Sequence, residues 1–295
     1  MPTVATHSGT FHADDCFAFA ILKAALGGDV TLVRTREQER LEVADVVFDV
    51  GGVCDPSRGR YDHHMRDKPL RDNGEPFSSA GLVWRDYGVR AVHALVGGLG
   101  DAQAARIAAM LDGGVIRDID LMDNGAMTPT PGHFSTLLEA FNPSFAEAGL
   151  DEDQCFAEAA ELAGRVLARA AARAHAAVLA EDNVAAAARA AQDPRIIVLE
   201  TRVPWEDAVF DLDLAQALYV VRPAGKQWTV SAVPPERNSF AQRKSLPDAW
   251  GGLRDGDFAA ATGVADATFC HPARFVCGAV SREGAVALAL LAANA

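Results

Sequence analysis

Over its first 150 residues the chain alternates short apolar runs of strand character with segments of helical period, and this alternation restricts its fold more than any other feature. Val4-Ala5-Thr6 is an apolar opening. Val30 to Arg34 reads as a strand, and Ala44-Asp45-Val46-Val47-Phe48-Asp49-Val50 as a buried strand running into Gly51-Gly52. Between them, Asp14 to Leu26 has the period of an amphipathic helix ended by Gly27-Gly28, and Glu37 to Leu41 is a shorter helix. Ser79 to Tyr87 and Asp101 to Leu121 read as helices as well. Strands joined through helices pair in parallel, so the prediction is an α/β unit whose parallel sheet is flanked by helices. Ligands on such sheets gather at the carboxyl ends of the strands.

Two further zones follow. Residues 151–193 are alanine-rich, open on Asp151, Glu152 and Asp153, and precede Pro194, which predicts one or two long helices as a connector. Residues 194–295 open on the strand Arg195 to Leu199, continue with a hairpin of Ala217–Val221 and Gln227–Val233 across Pro223-Ala224-Gly225, and end on the apolar helix Arg282 to Ala292. The expected organisation is therefore a catalytic unit (1–150), a helical connector (151–193) and a smaller C-terminal α/β unit (194–295).

Composition excludes several classes. A formal net charge of −13 argues against a protein that coats nucleic acid through lysine and arginine. The five cysteines form no CxxC pair, which argues against a disulfide framework and against a thiolate zinc site. No apolar stretch is long enough to span a bilayer, and the N-terminus carries no basic leader or apolar signal core. The expectation is a cytoplasmic chain without a membrane partner, with a homodimer left open.

The chemistry concentrates at four turns of the first zone. These are His7 to Asp15 (with His7, His12, Asp14 and Asp15), then Asp49, then Asp62-His63-His64, then Asp118, Asp120 and Asp123. Singly each has a plain structural account; Asp14 and Asp15, for example, suit a helix N-terminus. Asp49 is harder to explain that way, because a carboxylate at the end of a buried strand must find hydrogen bonds, a cation or water. Together the four groups supply enough imidazole and carboxylate ligands for two ions sharing a bridging carboxylate. Mixed nitrogen and oxygen ligands suit Mn²⁺, Fe²⁺, Co²⁺ or Zn²⁺ better than Ca²⁺. Two such ions about 3.5–4 Å apart activate a water and clamp both oxygens of a phosphoryl transfer.

The order His…Asp, Asp after a strand, Asp-His-His and a later Asp resembles the DHH phosphoesterase superfamily, which includes RecJ-type nucleases and manganese pyrophosphatases. In finer detail, Thr6-His7-Ser8-Gly9-Thr10-Phe11-His12-Ala13-Asp14, Asp49-Val50-Gly51-Gly52, Tyr61-Asp62-His63-His64, Ser78-Ser79-Ala80-Gly81 and Asp120 to Gly125 resemble the melanocyte-proliferating-gene (MYG) family. The last zone resembles it too, through Val203-Pro204-Trp205, Ser239-Phe240, Arg243-Lys244, Leu246-Pro247, Trp250 to Asp255 and Phe269-Cys270-His271. The resemblance covers nearly the whole chain in order. It implies a DHH-type domain, a smaller C-terminal domain and a metal-dependent phosphodiesterase or 3′–5′ exoribonuclease acting on single-stranded RNA or short oligonucleotides.

By the same resemblance, His7 binds one metal, Asp14 and His63 the other, and Asp49 bridges both. His12 is a further ligand, standing near the place of the superfamily's first aspartate. The last acidic ligand is Asp120 or Asp123; Asp120 is preferred, because Asp123-Asn124-Gly125 also reads as helix-ending turn chemistry. His64 faces the phosphate and Asp62 orients a neighbouring ligand. The implied cofactor is a pair of divalent ions, Mn²⁺ first, with Mg²⁺, Co²⁺ or Zn²⁺ as alternatives. Arg243, Lys244, Arg254, His271 and Arg274 are candidate phosphate contacts, and Trp228 and Trp250 candidate stacking surfaces. The alternative functions are hydrolysis of a small phosphoanhydride or cyclic dinucleotide, or metal or nucleotide binding without catalysis.

Overall fold

The computed structural model describes residues 1–147 and 149–295. It divides into two compact units, Met1–His175 and Ala176–Ala295. The division falls inside one continuous helix of 39 residues, where the sequence suggested a separate connector of one or two helices.

The first unit is built on strands β1 (Thr3–Thr6), β2 (Thr31–Arg34), β3 (Val46–Phe48), β4 (Cys54–Asp55) and β5 (Arg60–Tyr61). Their order in the sheet is β2-β1-β3-β5-β4, with the first four parallel and β4 antiparallel at the edge. That reversal has a local cause. Only a short turn (Pro56–Arg58) and Gly59 join β4 to β5, too little chain for a parallel crossover. Gly59 has φ +67°, and a side chain there would put its Cβ 2.5 Å from the Asp45 carbonyl oxygen.

The helices of this unit are α1 (Ala13–Ala25), α2 (Gln38–Glu42), α3 (Ser79–Val96), α4 (Asp101–Leu111), α5 (Arg117–Asp123), α6 (Phe134–Glu139) and the start of α7 (Glu152–Ala190). Helices α1 and α3 pack along one another, and Phe17, Ile21, Leu22, Leu82 and Val83 are fully buried. Each such side chain contributes about 1.5–3 kcal/mol on leaving water. The helix expected over Asp101–Leu121 is interrupted by a wide turn at Asp112–Ile116, where Gly114 leaves helical geometry at φ −111°, ψ −110°. Two consecutive glycines, Gly113 and Gly114, weaken the helix there. The turn re-aims α5, so the aspartates at its end follow a direction of their own.

The second unit holds β6 (Ile196–Val198), β7 (Tyr219–Ala224), β8 (Gln227–Ala232), β9 (Ala267–Cys270) and β10 (Val276–Ala279), ordered β6-β7-β8-β10-β9. Helices α8 (Glu206–Asp211), α9 (Asp255–Thr262) and α10 (Arg282–Asn294) accompany it. The hairpin turn is tighter and starts two residues later than the sequence suggested. Pro223 is paired with Trp228 in the ladder, and Gly225-Lys226 make the turn. Tyr219, Val221 and Val230 face α10 in one core, while Val220 faces Trp205 and Val209 in another. No helix among the described residues is long and apolar enough to cross a membrane.

Candidate metal centre

Three neighbouring parallel strands deliver the polar groups that the sequence singled out. His7 follows β1, Asp49 follows β3, and Asp62-His63-His64 follow β5, so all stand at the carboxyl rim of the sheet. The first turn of α1 adds Asp14 and Asp15, and the last residue of α5 adds Asp123. His7, Asp14, Asp15, Asp49, Asp62 and His63 are all buried.

Asp49 is the centre of the arrangement. Its Oδ2 lies 3.1 Å from His7 Nε2, and its Oδ1 lies 3.2 Å from His63 Nε2. One carboxylate therefore faces two separate imidazoles with its two oxygens. The backbone is bent to present it, since Asp49 has φ +56°, and the turn continues through Gly51 and Gly52 at positive φ. A left-handed conformation on a residue with a Cβ costs roughly 1–2 kcal/mol. Strain of this kind collects where a side chain must be aimed. The Ser79 hydroxyl, in the first turn of α3, lies 3.1 Å from Asp49 Oδ1 and 3.0 Å from the Tyr61 carbonyl.

Around Asp49 the donor atoms gather into three groups. His7, Asp15 and Asp49 form one, Asp49, His63 and His64 a second, and His12, Asp14 and Asp123 a third. His63 Nε2 links the groups, at 3.3 Å from Asp123 Oδ2 and 3.7 Å from Asp14 Oδ2. These contacts satisfy charge but not hydrogen bonding. Both oxygens of Asp14, Asp15 Oδ2 and both ring nitrogens of His63 are buried without a hydrogen-bond partner. Buried polar atoms are seldom left so, because each costs about 1–3 kcal/mol. Cations would satisfy the carboxylate oxygens and one nitrogen of His63, and the mixed imidazole and carboxylate donors fit divalent transition metals.

The electrostatics agree with that fit. Burial would lower the pKa of His7, but its contacts with Asp15 and Asp49 outweigh burial and raise it to about 10. Asp49 shifts oppositely. Burial would raise it, and His63 and His7 together hold it well below the usual carboxylate range. Burial, together with the charge of Asp49, pushes the Asp14 and Asp15 carboxyls up, and burial likewise raises Asp123. Protonated imidazoles thus supply positive charge that bound metal ions would replace.

Neighbouring groups orient the ligands. His7 Nδ1 lies 3.3 Å from the Ser8 carbonyl, which leaves Nε2 directed at the carboxylates. Asp62 Oδ1 accepts from the backbone N–H of His63 and His64 and, at 2.8 Å, from His64 Nδ1. Its Oδ2 accepts from Gly52 N–H at 2.5 Å. Asp62 so ties the Asp-His-His turn to the glycine turn after Asp49. His64, with a side chain 60% exposed, is the open member of the cluster. Arg34, nearly buried, donates to the Gly9 and Glu152 carbonyls and to Asp153, and so fastens the His7–His12 turn to the start of α7.

The two aspartates left as alternatives in α5 have different surroundings. Asp123 stands among the donors described above. Asp120 does not: its Oδ1 accepts from Ser78 N–H, Ser78 Oγ and Gly81 N–H at 3.0, 2.7 and 3.0 Å, and its Oδ2 pairs with Arg71 at 2.6 Å. It caps the N-terminus of α3 from a neighbouring helix. Gly81 makes this possible, since a Cβ there would lie 2.2 Å from Asp120 Oδ2.

Sequence reasoning also left Asp15 outside the ligand set, reading it as helix-terminus chemistry. That reading holds for one oxygen only: Oδ1 accepts from His12 N–H at 3.0 Å, while Oδ2 faces His7 at 3.1 Å. Arg34 and Arg71 gave no signal, and Ser78 and Ser79 only their place in the Ser78-Ser79-Ala80-Gly81 motif at a helix start.

In the second unit, several basic candidates are engaged in holding loops. Arg243 donates to the carbonyls of Leu214, Ala215 and Ala217 at 2.7–3.2 Å, and Lys244 to that of Ala293 at 3.1 Å. Arg274 donates to the Leu246 carbonyl and pairs with Asp248. Arg254 and His271 are exposed. Trp250 is buried against Phe258, and Trp228 packs partly buried against the α10 core.

Residues 3–293 match the sequence family MYG1_exonuc, described as an uncharacterised protein family (UPF0160). A MYG1 protein of Caenorhabditis elegans is 32% identical over 97% of this chain and 93% of its own length. The MYG1 exonuclease of Homo sapiens is 31% identical over 98% of this chain and 85% of its own. Among solved structures, RecJ of Thermus thermophilus in complex with Mn²⁺ aligns with 99% of this chain at 19% identity and a TM-score of 0.31. The chain spans 52% of that protein's length.

Proposed function

The chain belongs to the MYG1 exonuclease family (UPF0160), and from that premise we propose that it is a divalent-metal-dependent phosphodiester hydrolase that trims nucleic-acid strands from an end. The observation that carries the proposal is the split carboxylate of Asp49, with one oxygen toward His7 and the other toward His63. A carboxylate so placed is what a two-ion site requires as its bridge. His7 and Asp15 would serve one ion, and Asp14, His63 and Asp123 the other, with His12 at the margin of the second. When bound, the ions would supply Lewis acidity toward a phosphate and lower the pKa of water at the site.

The remaining steps belong to the chain's own side chains. Asp62 fixes the ring of His64 through Nδ1, which leaves Nε2 free to hydrogen-bond a phosphoryl oxygen or to give a proton to the leaving oxygen. The buried carboxylates repel a polyanion unless ions are present, which makes binding and metal loading interdependent. Single-stranded RNA or a short oligonucleotide cut in the 3′–5′ direction is the proposed substrate, and Mn²⁺ the proposed ion.

The test uses 5′-labelled single-stranded RNA and Mn²⁺. The expected result is a ladder shortening from the 3′ end, abolished by Asp49→Ala with the fold retained. Intact RNA alongside rapid pyrophosphate turnover would overturn the nuclease reading. Full activity in the Asp49 variant would overturn the site.

A further inference from the structure

In the second unit, the sheet face away from α10 is only half covered. Near β6 it is apolar and closed, with Val220 against Trp205 and Val209. Further along β7 and β8 the same face turns polar, carrying Arg222 paired across the strands with Thr229, then Ser231 opposite Val220. Arg222, Thr229 and Ser231 floor a cleft of about 920 Å³, walled by Arg202, Phe240 and Phe275. Small-molecule sites run from about 300 to 1,000 Å³, so the space suits a ligand of nucleotide size.

Three observations say what that ligand is. The first is Arg222, whose Nε is buried without a hydrogen-bond partner although the side chain is only partly buried. A guanidinium N–H in that condition lacks an acceptor worth about 1–3 kcal/mol. The second is the pairing of like charges. Burial, and next the charge of Arg202, hold the Arg222 guanidinium below its ordinary range. Among the described residues, Glu206 is the only acidic group lining the cleft, and its charge acts on Arg222; Asp207 beside it is engaged by Arg237 at 2.9 Å. Two arginines against one carboxylate leave a net positive site, and guanidinium forks match phosphate oxygens.

The third observation is Phe240. Its side chain is fully exposed, yet its loop is held: Arg243 N–H donates to the Val233 carbonyl at 2.8 Å, and the Arg243 guanidinium grips three carbonyls of the chain before β7. Phe275, 42% exposed, stands on the β10 side of the same cleft. Aromatic faces held out beside cationic groups are surfaces on which bases stack, worth about 1–3 kcal/mol per base.

We propose that this cleft is a nucleotide-binding site in which Arg202 and Arg222 take the phosphate and Phe240 stacks on the base. It needs neither the divalent ions nor hydrolysis, so it stands apart from the reading of the metal centre. It also uses none of the basic residues that the sequence had marked for phosphate.

The test is calorimetric titration of the full-length chain with AMP, in Mn²⁺ and again after EDTA. Saturable binding in both conditions is expected, with adenosine at least tenfold weaker and inorganic phosphate competing. Arg222→Gln should weaken AMP at least tenfold. Because Arg202 and Phe240 are exposed, Arg202→Gln and Phe240→Ala should do the same with an unchanged unfolding temperature. After EDTA, Asp49→Asn should bind AMP like the parent, which separates this proposal from the metal centre. A 5′-phosphorylated pentaadenylate binding tighter than AMP would assign the site to a strand end; weaker binding would assign it to a free nucleotide. Absence of AMP binding, or parental affinity in both Arg202→Gln and Phe240→Ala, would overturn the proposal.

Discussion

Replacing Asp120 by alanine tests whether its carboxylate is structural rather than a metal ligand, and Asp123, three residues later, offers the contrasting case. Asp120 is fully buried and accepts from Ser78 N–H, Ser78 Oγ, Gly81 N–H and Arg71. Loss of the cap on α3 costs about 1 kcal/mol. Removing one partner of a buried ion pair costs about 3–5 kcal/mol. The low end applies here for two reasons. Arg71 keeps Asp112 at 2.7 Å, and burial already raises the Asp120 carboxyl against the pull of Ser78 and Arg71. The sum is about 4 kcal/mol, which for a unit of this size lowers the unfolding midpoint by roughly 10 °C. Asp123→Ala differs in sign, since it removes a negative charge that helps to raise the Asp14 carboxyl. The metal-free Asp123 variant should unfold no earlier than the parent, yet bind Mn²⁺ at least about tenfold more weakly. Differential scanning calorimetry and Mn²⁺ titration at 20 °C read both quantities. Weakened Mn²⁺ binding in Asp120→Ala with an unchanged midpoint would refute the reasoning.

Mn²⁺ binding near pH 8 should release protons, because His7 is held protonated up to about 10 and a ligating imidazole must be neutral; titration in weakly buffered solution would show acidification. The same shift has a stability consequence in the metal-free chain. The folded pKa of His7 is raised, so its contribution is complete below its ordinary 6.5 and is lost as pH rises toward about 10, which denaturant midpoints across that window would record. His64→Gln should keep the Mn²⁺ stoichiometry while lowering kcat by about 10²–10⁴-fold, the usual contribution of a positioned proton donor; an unchanged kcat would remove His64 from the chemistry. Gly81→Ala should destabilise by about 1–3 kcal/mol through overpacking against Asp120, measurable as an earlier thermal transition.

The sequence made the rim of the first sheet legible because strand ends in a parallel α/β unit converge whatever lies between them. Asp49 stood out for a reason that survives in the structure: a carboxylate after Val46-Val47-Phe48 has no ordinary role in a buried strand. The choice between Asp120 and Asp123 was not legible, since it turns on how the glycine-interrupted turn at Asp112–Ile116 aims α5. Sequence spacing carries no record of such an aim. Asp15 was obscured because the helix terminus and the contact with His7 use different oxygens of one carboxylate. In the second unit the basic residues were visible but their partners were not. Arg243 and Arg274 spend their donors on backbone carbonyls, whereas Arg222 drew no notice within a strand and holds an unpartnered nitrogen.

Anomalous scattering from crystals of the chain soaked in Mn²⁺ tests the central claim most directly. Two peaks about 3.5–4 Å apart are predicted, one beside each Asp49 oxygen, with His7 and Asp15 on one side and Asp14, His63 and Asp123 on the other. Peaks that leave Asp49 uncoordinated, or a single peak at full occupancy in saturating Mn²⁺, would contradict the two-ion account.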